Sequence, residues 1–228
     1  MANSSQHAAG PRRGRRPLYI GSAVLALVAV ALIVVAMGRQ DPAPPQGPAA
    51  QQQGQQGQHQ GHDSARAGTK VRGTVLKASA PEQISIPSLN VSSSLERLGL
   101  DAKQAMQTPR DPDKAGWFTP GPTPGALGPS VIAGHVTWNG SPGVFFRLAQ
   151  MKKGDTVEVG RQDGTTAVFT VDRTARYAKE RFPTIEVYRN LDHAGLRLIT
   201  CGGDFSAKAH HYADNIVVFA HLTGTKAA

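Results

Sequence analysis

The chain has 228 residues, with 25 Lys and Arg against 16 Asp and Glu and a formal net charge of +9. Up to residue 80 it carries 9 basic and 2 acidic side chains, which leaves 16 against 14 for the last 148 residues. The basicity therefore belongs mostly to an N-terminal appendage, and a compact basic nucleic-acid-binding domain is disfavoured. A single cysteine, Cys201, excludes an intrachain disulfide and a multi-cysteine zinc site.

Residues 1–17 form a basic tail that includes Arg12-Arg13-Gly14-Arg15-Arg16. Leu18 to Gly38 follow without one charge, 21 residues rich in Ala, Val, Leu and Ile. At about 1.5 Å per residue such a helix spans the roughly 30 Å hydrocarbon core of a bilayer. The positive-inside rule keeps the arginine cluster in the cytoplasm and sends the rest of the chain outside. Residues 18–38 are thus expected to be a transmembrane signal-anchor. A cleaved signal peptide ending near Val34-Val35-Ala36 is the alternative. Residues 39–80 are Gln, Gly, Pro and Ala with too little apolar surface to order themselves, which predicts a disordered linker. His59 and His62 in that linker read as solvated spacers.

From residue 81 to 228 the texture changes to short apolar runs broken by Pro and Gly. Expected strands are 83–86, 91–98, 130–135, 156–159, 165–172, 185–188, 196–201 and 215–220, several with period-2 alternation. Asp163-Gly164 predicts a hairpin turn. A short helix is expected over 144–151, where Phe145, Leu148 and Ala149 share a helical face, and a second near 102–107. The Pro/Gly-rich passage 108–129 reads as loop, with Trp117 and Phe118 packing on the domain. Eight short strands predict a mostly β domain, a barrel or sandwich.

Cys201 ends the run Arg197-Leu198-Ile199-Thr200-Cys201 and precedes Gly202-Gly203, which leaves a thiol at a sheet rim with room for a peptide backbone. An unpaired thiol in an oxidising compartment is a hazard unless it is used. His135 ends another apolar run, Val131-Ile132-Ala133-Gly134-His135, and a nucleophile and its base are spatial rather than sequential neighbours. Elsewhere the acids are scattered, so no calcium loop is evident.

Together, Ile84-Ser85-Ile86-Pro87, Val131–His135, Leu198-Ile199-Thr200-Cys201 and Asp214-Asn215-Ile216-Val217-Val218-Phe219-Ala220 resemble the sortase family over about residues 81–222. Thr200-Cys201-Gly202-Gly203 and Tyr212-Ala213-Asp214-Asn215 are most similar to class F sortases. The resemblance implies an eight-stranded sortase-type β-barrel and a membrane-anchored cysteine transpeptidase that needs no cofactor and no metal. It implies sorting-signal-bearing surface proteins as substrates, cut in a Leu-Pro-x-Thr-Gly-like signal between Thr and Gly. A peptidoglycan-precursor amine is the implied acceptor. Cys201 matches the family nucleophile, His135 its histidine, and Thr200 the threonine that helps shape the substrate groove. The family's usual arginine on the last strand has no match, and Asn215 is the substitute offered, an uncharged amide donor. Arg173, Arg176 and Arg181 precede the catalytic strand, where the family carries a mobile substrate loop, and Arg181 is taken as substrate-binding. Arg197 lies about 13 Å from Cys201 along the strand, too far for contact. Trp138, Val144, Phe182 and Tyr212 are candidates to line the groove or to be core.

Three other readings remain in view. A degenerate sortase-like wall-binding or signalling module is kept alive by Asn215. A pilus-assembling sortase is weakly disfavoured by the lack of a second apolar span near the end. An L,D-transpeptidase conflicts with the motif, which is Leu-Ile-Thr-Cys-Gly-Gly rather than Ser-His-Gly-Cys.

Overall fold

A computed structural model describes residues 71–227. The expected basic tail, signal-anchor and most of the linker lie outside the described residues. Among the described residues no helix is long and apolar enough to cross a membrane.

Eight strands close a barrel in the order β1-β2-β3-β4-β9-β10-β8-β7. They are β1 (Pro81–Ile86), β2 (Val91–Leu98), β3 (Ala115–Phe118), β4 (Gly128–Gly134), β7 (Thr156–Arg161), β8 (Thr165–Ala178), β9 (Ala194–Ser206) and β10 (His211–Ala227). A two-residue hairpin outside the barrel pairs β5 (Thr137–Trp138) with β6 (Ser141–Pro142). The neighbours β2–β3 and β4–β9 are parallel and the other barrel pairs antiparallel.

The alternating strands face one core. Val157 and Val159 of β7, Ala167, Phe169 and Val171 of β8, and Ile84 and Ile86 of β1 fill the barrel interior. In β4 and β9 nearly every residue is buried, because a parallel pair in the middle of this sheet is covered on both faces. Ile132, Leu196 and Leu198 point into the barrel, whereas Val131 and Ile199 join Val217 and Phe219 in a second, outer apolar cluster.

That outer cluster is covered by the connection from β8 to β9, which holds a 3-10 turn, Lys179–Arg181, and a five-residue helix α1, Thr184–Tyr188. The strand expected over 185–188 is therefore a helical turn instead. Its alternation would place Ile185 and Val187 on one face, yet Val187 is wholly buried and Ile185 is 79% exposed, as a helical turn requires. Val187 inserts into the outer cluster, and burying it is worth about 1.5–3 kcal/mol.

Other expectations shift too. Residues 115–118 form β3 rather than loop, held by the parallel pairing Leu95↔Ala115 and the antiparallel pairing Gly116↔Ala133. The expected helix over 144–151 contracts to the 3-10 turn Leu148–Gln150, although Phe145 and Leu148 are buried as read. Near 102–107 there is a turn, closed by Asp101 Oδ1 accepting from the Lys103 and Ala105 amides. The Asp163-Gly164 hairpin is present, with Gly164 at φ +76°. The segment leading into β1 is tied to the barrel from Arg72 onward: Arg72 N–H bonds Asp192 O, Leu76 N–H bonds Gly125 O, and Gln162 N–H bonds Ala80 O.

Candidate functional site

The register of four strands sets a row across the outer face. Parallel pairing of Ala133 with Ile199 is the last between β4 and β9; β4 ends at Gly134, so His135 leaves it one residue later, while β9 continues through Cys201. Antiparallel pairing then puts Asn215 opposite Cys201 and Tyr177 opposite Asn215. Residues paired in this way share a face, with Cβ atoms about 4.5–5.5 Å apart across an antiparallel pair. Cys201, Asn215 and Tyr177 thus form one row above the apolar row Ile199, Val217 and Ala175, and Ala133 of β4 extends that apolar row.

His135 is half-buried and held from several sides. Its Nε2 lies 2.8 Å from the Pro109 carbonyl, which only accepts. Nε2 therefore carries the proton, and Nδ1 of the neutral ring is left as the acceptor. The ring also meets Trp138 edge-on at 4.9 Å. Trp138 is presented by the β5–β6 hairpin, whose tip Asn139-Gly140 has positive φ at both residues. That Asn-Gly pair is the signal in the sequence that marks Trp138 as a fixed neighbour of His135. The His135 carbonyl accepts from Phe145 N–H, and a side chain at Gly143 would fall 2.6 Å from it.

Thr200 is 4% exposed and points inward, where its Oγ1 donates to Gly134 O at 2.8 Å. It bonds the strand bearing Cys201 to Gly134, the last residue of β4 and the neighbour of His135 in the chain. Gly202 and Gly203 have a similar explanation. A Cβ at Gly202 would lie 2.7 Å from Ile216 Cγ1. Gly203 has φ +77°, and a Cβ there would lie 2.2 Å from Asp214 Oδ2. Asp214 in turn pairs with Arg176 Nε, so an ion pair rather than open space abuts the glycines after Cys201.

The arginines divide. Arg173 and Arg176 lie on β8 itself and not in a loop before the catalytic strand, which corrects the expectation. Arg173 stacks on Phe219 at 3.5 Å and pairs with Glu186 of α1, which also accepts from the Tyr177 hydroxyl. Arg181 sits exposed on the 3-10 turn, outside the row. Arg197 is buried, lies over Phe219 at 4.6 Å and donates to Leu196 O. Burial, then the neighbouring Arg173 charge, lowers its pKa to about 10. Burial raises the phenols of Tyr177 and Tyr188 above their ordinary value.

Among the groove candidates, Tyr212 is buried with its hydroxyl 2.8 Å from Thr137 Oγ1, and Phe182 packs on the outer cluster beside Tyr177 and Tyr188. Val144 packs on the barrel core. Among the described residues no three His, Cys, Asp or Glu side chains gather to hold a metal.

A half-buried thiol stands opposite an amide donor across β9 and β10, and an imidazole is anchored just past the end of β4; these are residue types that acyl transfer uses. The sortase domain model matches residues 84–223, 140 of the 228 residues, and the chain belongs to the sortase family, whose members are cysteine transpeptidases. Similar solved structures include sortase A of Listeria monocytogenes, at 21% identity and TM-score 0.49 over 67% of this chain and 92% of that one. The SrtA sortase of Actinomyces oris matches at 18% identity and TM-score 0.48, over 68% and 86%. Sortase C1 of Streptococcus agalactiae matches at 21% and 0.49, over 63% and 67%. Among proteins of curated function, none matches this chain.

Proposed function

We propose that Cys201 is the nucleophile and His135 the acid–base of a membrane-anchored transpeptidase that acts on a Leu-Pro-x-Thr-Gly-like sorting signal. The observation that supports this most is the register: Asn215 stands opposite Cys201, and the last β4–β9 pair, Ala133 with Ile199, lies two residues before His135 on one strand and two before Cys201 on the other. The Cys201 thiolate attacks the Thr carbonyl, and the Asn215 amide donates to the developing oxyanion. Collapse of the tetrahedral adduct breaks the Thr–Gly bond, and protonated His135 gives its proton to the leaving amine. The acyl group remains as a thioester on Cys201. A peptidoglycan-precursor amine then attacks it, His135 takes the amine proton, and the thiolate is released.

The Thr200-Cys201-Gly202-Gly203 motif and the Tyr212–Asn215 stretch favour the class F type. The charge-free stretch 18–38 supports a single-pass anchor with the catalytic domain outside the cell. Thr200 acts in this account through position, and Arg181 remains a substrate-binding candidate only by its place on the connection that covers the outer face.

The test is turnover of a quenched sorting-signal peptide with an added amine. Wild-type protein yields both the cleaved peptide and the amide product. Cys201→Ala and His135→Ala fold normally and lose turnover by at least about a hundredfold, the scale of a missing acid–base group. Turnover surviving in Cys201→Ala refutes the assignment. A wild-type protein inert toward a varied peptide set, with a thiol that resists alkylation at neutral pH, favours the degenerate binding module instead.

A further inference from the structure

The thioester step separates the two halves of the substrate. The acyl half must stay bound while the amine half leaves and a new amine enters. Past Cys201 strand β9 continues through the buried Gly202 and Gly203 to the exposed stretch Asp204–Ser206, whereas the opposite side leads over the outer cluster, with the half-buried rings of Tyr177, Phe182 and Tyr188 on it. The acyl half therefore runs toward α1 and the lower end of this face. There the surface opens into a cleft of about 620 Å³ lined by Phe182, Pro183, Thr184, Ile185, Glu186 and Arg189.

Its charges are unbalanced. Arg189 lines the cleft and is exposed, and Arg173 comes up from β8. Arg197 lies beneath, 6% exposed, with Nε buried and unpartnered. Glu186 is the one carboxylate in the cleft lining, and it is already engaged by Arg173 and the Tyr177 hydroxyl. Farther along the connection, Glu180 is flanked by Lys179 and Arg181. Asp172, next to Arg173, is bound by His221. A buried guanidinium with an unmet donor raises the local potential because little solvent screens it. Four residues of β9 separate Arg197 from Cys201, about 13 Å, the same span as four residues of an extended peptide.

We infer that the lower end of this face, with Arg189 at its surface and Arg173 and Arg197 behind it, selects sorting signals that carry an acidic side chain just before the Leu of the pentapeptide, four residues ahead of the attacked Thr. The inference rests on the reading of Cys201 as the acylated residue. It makes recognition extend past the pentapeptide and depend on ionic strength.

The experiment uses three peptides that differ only in the residue before Leu, which is Glu, Gln or Lys. kcat/KM is measured on the wild-type protein and on Arg189→Gln, and binding to Cys201→Ala is measured by fluorescence anisotropy. The Glu peptide is expected to exceed the Lys peptide by about tenfold at low salt, an advantage that shrinks as salt screens it. Arg189→Gln, an exposed change that leaves the fold intact, brings the ratio below about threefold. Glu and Lys peptides turned over or bound within about twofold of each other overturn the inference while the transpeptidase reading stands. Binding that prefers Glu without any turnover supports the anion-selective end and refutes the transpeptidase. Neither binding nor turnover refutes both.

Discussion

Replacing Gly203 with Ala tests why two glycines follow Cys201. At φ +77° an L-residue loses about 1–2 kcal/mol from the contact of its Cβ with the neighbouring carbonyl. The new Cβ would also stand 2.2 Å from Asp214 Oδ2 and 2.8 Å from Asp214 Cγ, so the carboxylate must leave Arg176. Asp214 is 12% exposed and Arg176 35%, and that exposure discounts the charged hydrogen bond to about 1 kcal/mol. The sum is about 2–3 kcal/mol, a loss of about 4–12 °C in melting temperature for a domain of this size. Thermal unfolding followed by circular dichroism gives the number, and Asp214→Ala separates its parts. In that background Gly203→Ala should cost only the backbone part, about 1–2 kcal/mol, because nothing remains to be displaced. A melting shift under about 2 °C, or an equal cost in both backgrounds, refutes the reasoning.

Thr200→Val keeps the shape and removes the hydroxyl that donates to the half-buried Gly134 O, a hydrogen bond worth about 1 kcal/mol. Turnover should fall further than stability explains, and Thr200→Ser should restore most of it; equal turnover in all three denies Thr200 a positioning role. Asp192 is held below its ordinary value of 3.8, first by the His193 hydrogen bond and then by the one from Arg72. A depressed carboxylate contributes above its ordinary value and loses that contribution as pH falls through the lowered one. The step that Asp192 protonation causes in the Arg72 Nε–H resonance should therefore come only below about pH 4. Tyr188 shows the opposite sign: its raised pKa adds stability below pH 10 that is lost in stronger alkali, so its phenolate absorbance should appear late.

Most of the barrel was legible because seven of its strands carry their own apolar pattern, as β7 does with Val157 and Val159. The eighth, β3, did not, since Ala115-Gly116-Trp117-Phe118 becomes a strand only through partners on β2 and β4. The stretch Ile185–Tyr188 has β-branched residues at alternate positions, and packing of Val187 overrode that pattern. Cys201 and His135 could be singled out from the apolar runs they close, but not that β9 continues past Cys201 to Ser206, nor the parallel pairing of β4 with β9, which joins distant segments. The glycine pair is visible in the sequence, but not its packing reason: a Cβ there would meet Ile216 and Asp214. Arg173 and Arg176 were assigned to a loop because β8 runs six residues beyond its apolar pattern, to Ala178.

The central claim is that Cys201 carries the acyl group. Intact-mass spectrometry of the protein incubated with a sorting-signal peptide reads this directly, with and without hydroxylamine. The account predicts an adduct equal in mass to the peptide up to Thr, absent in Cys201→Ala and released by hydroxylamine as a hydroxamate. Peptide cleavage that proceeds with no adduct, or an adduct that persists in Cys201→Ala, contradicts it.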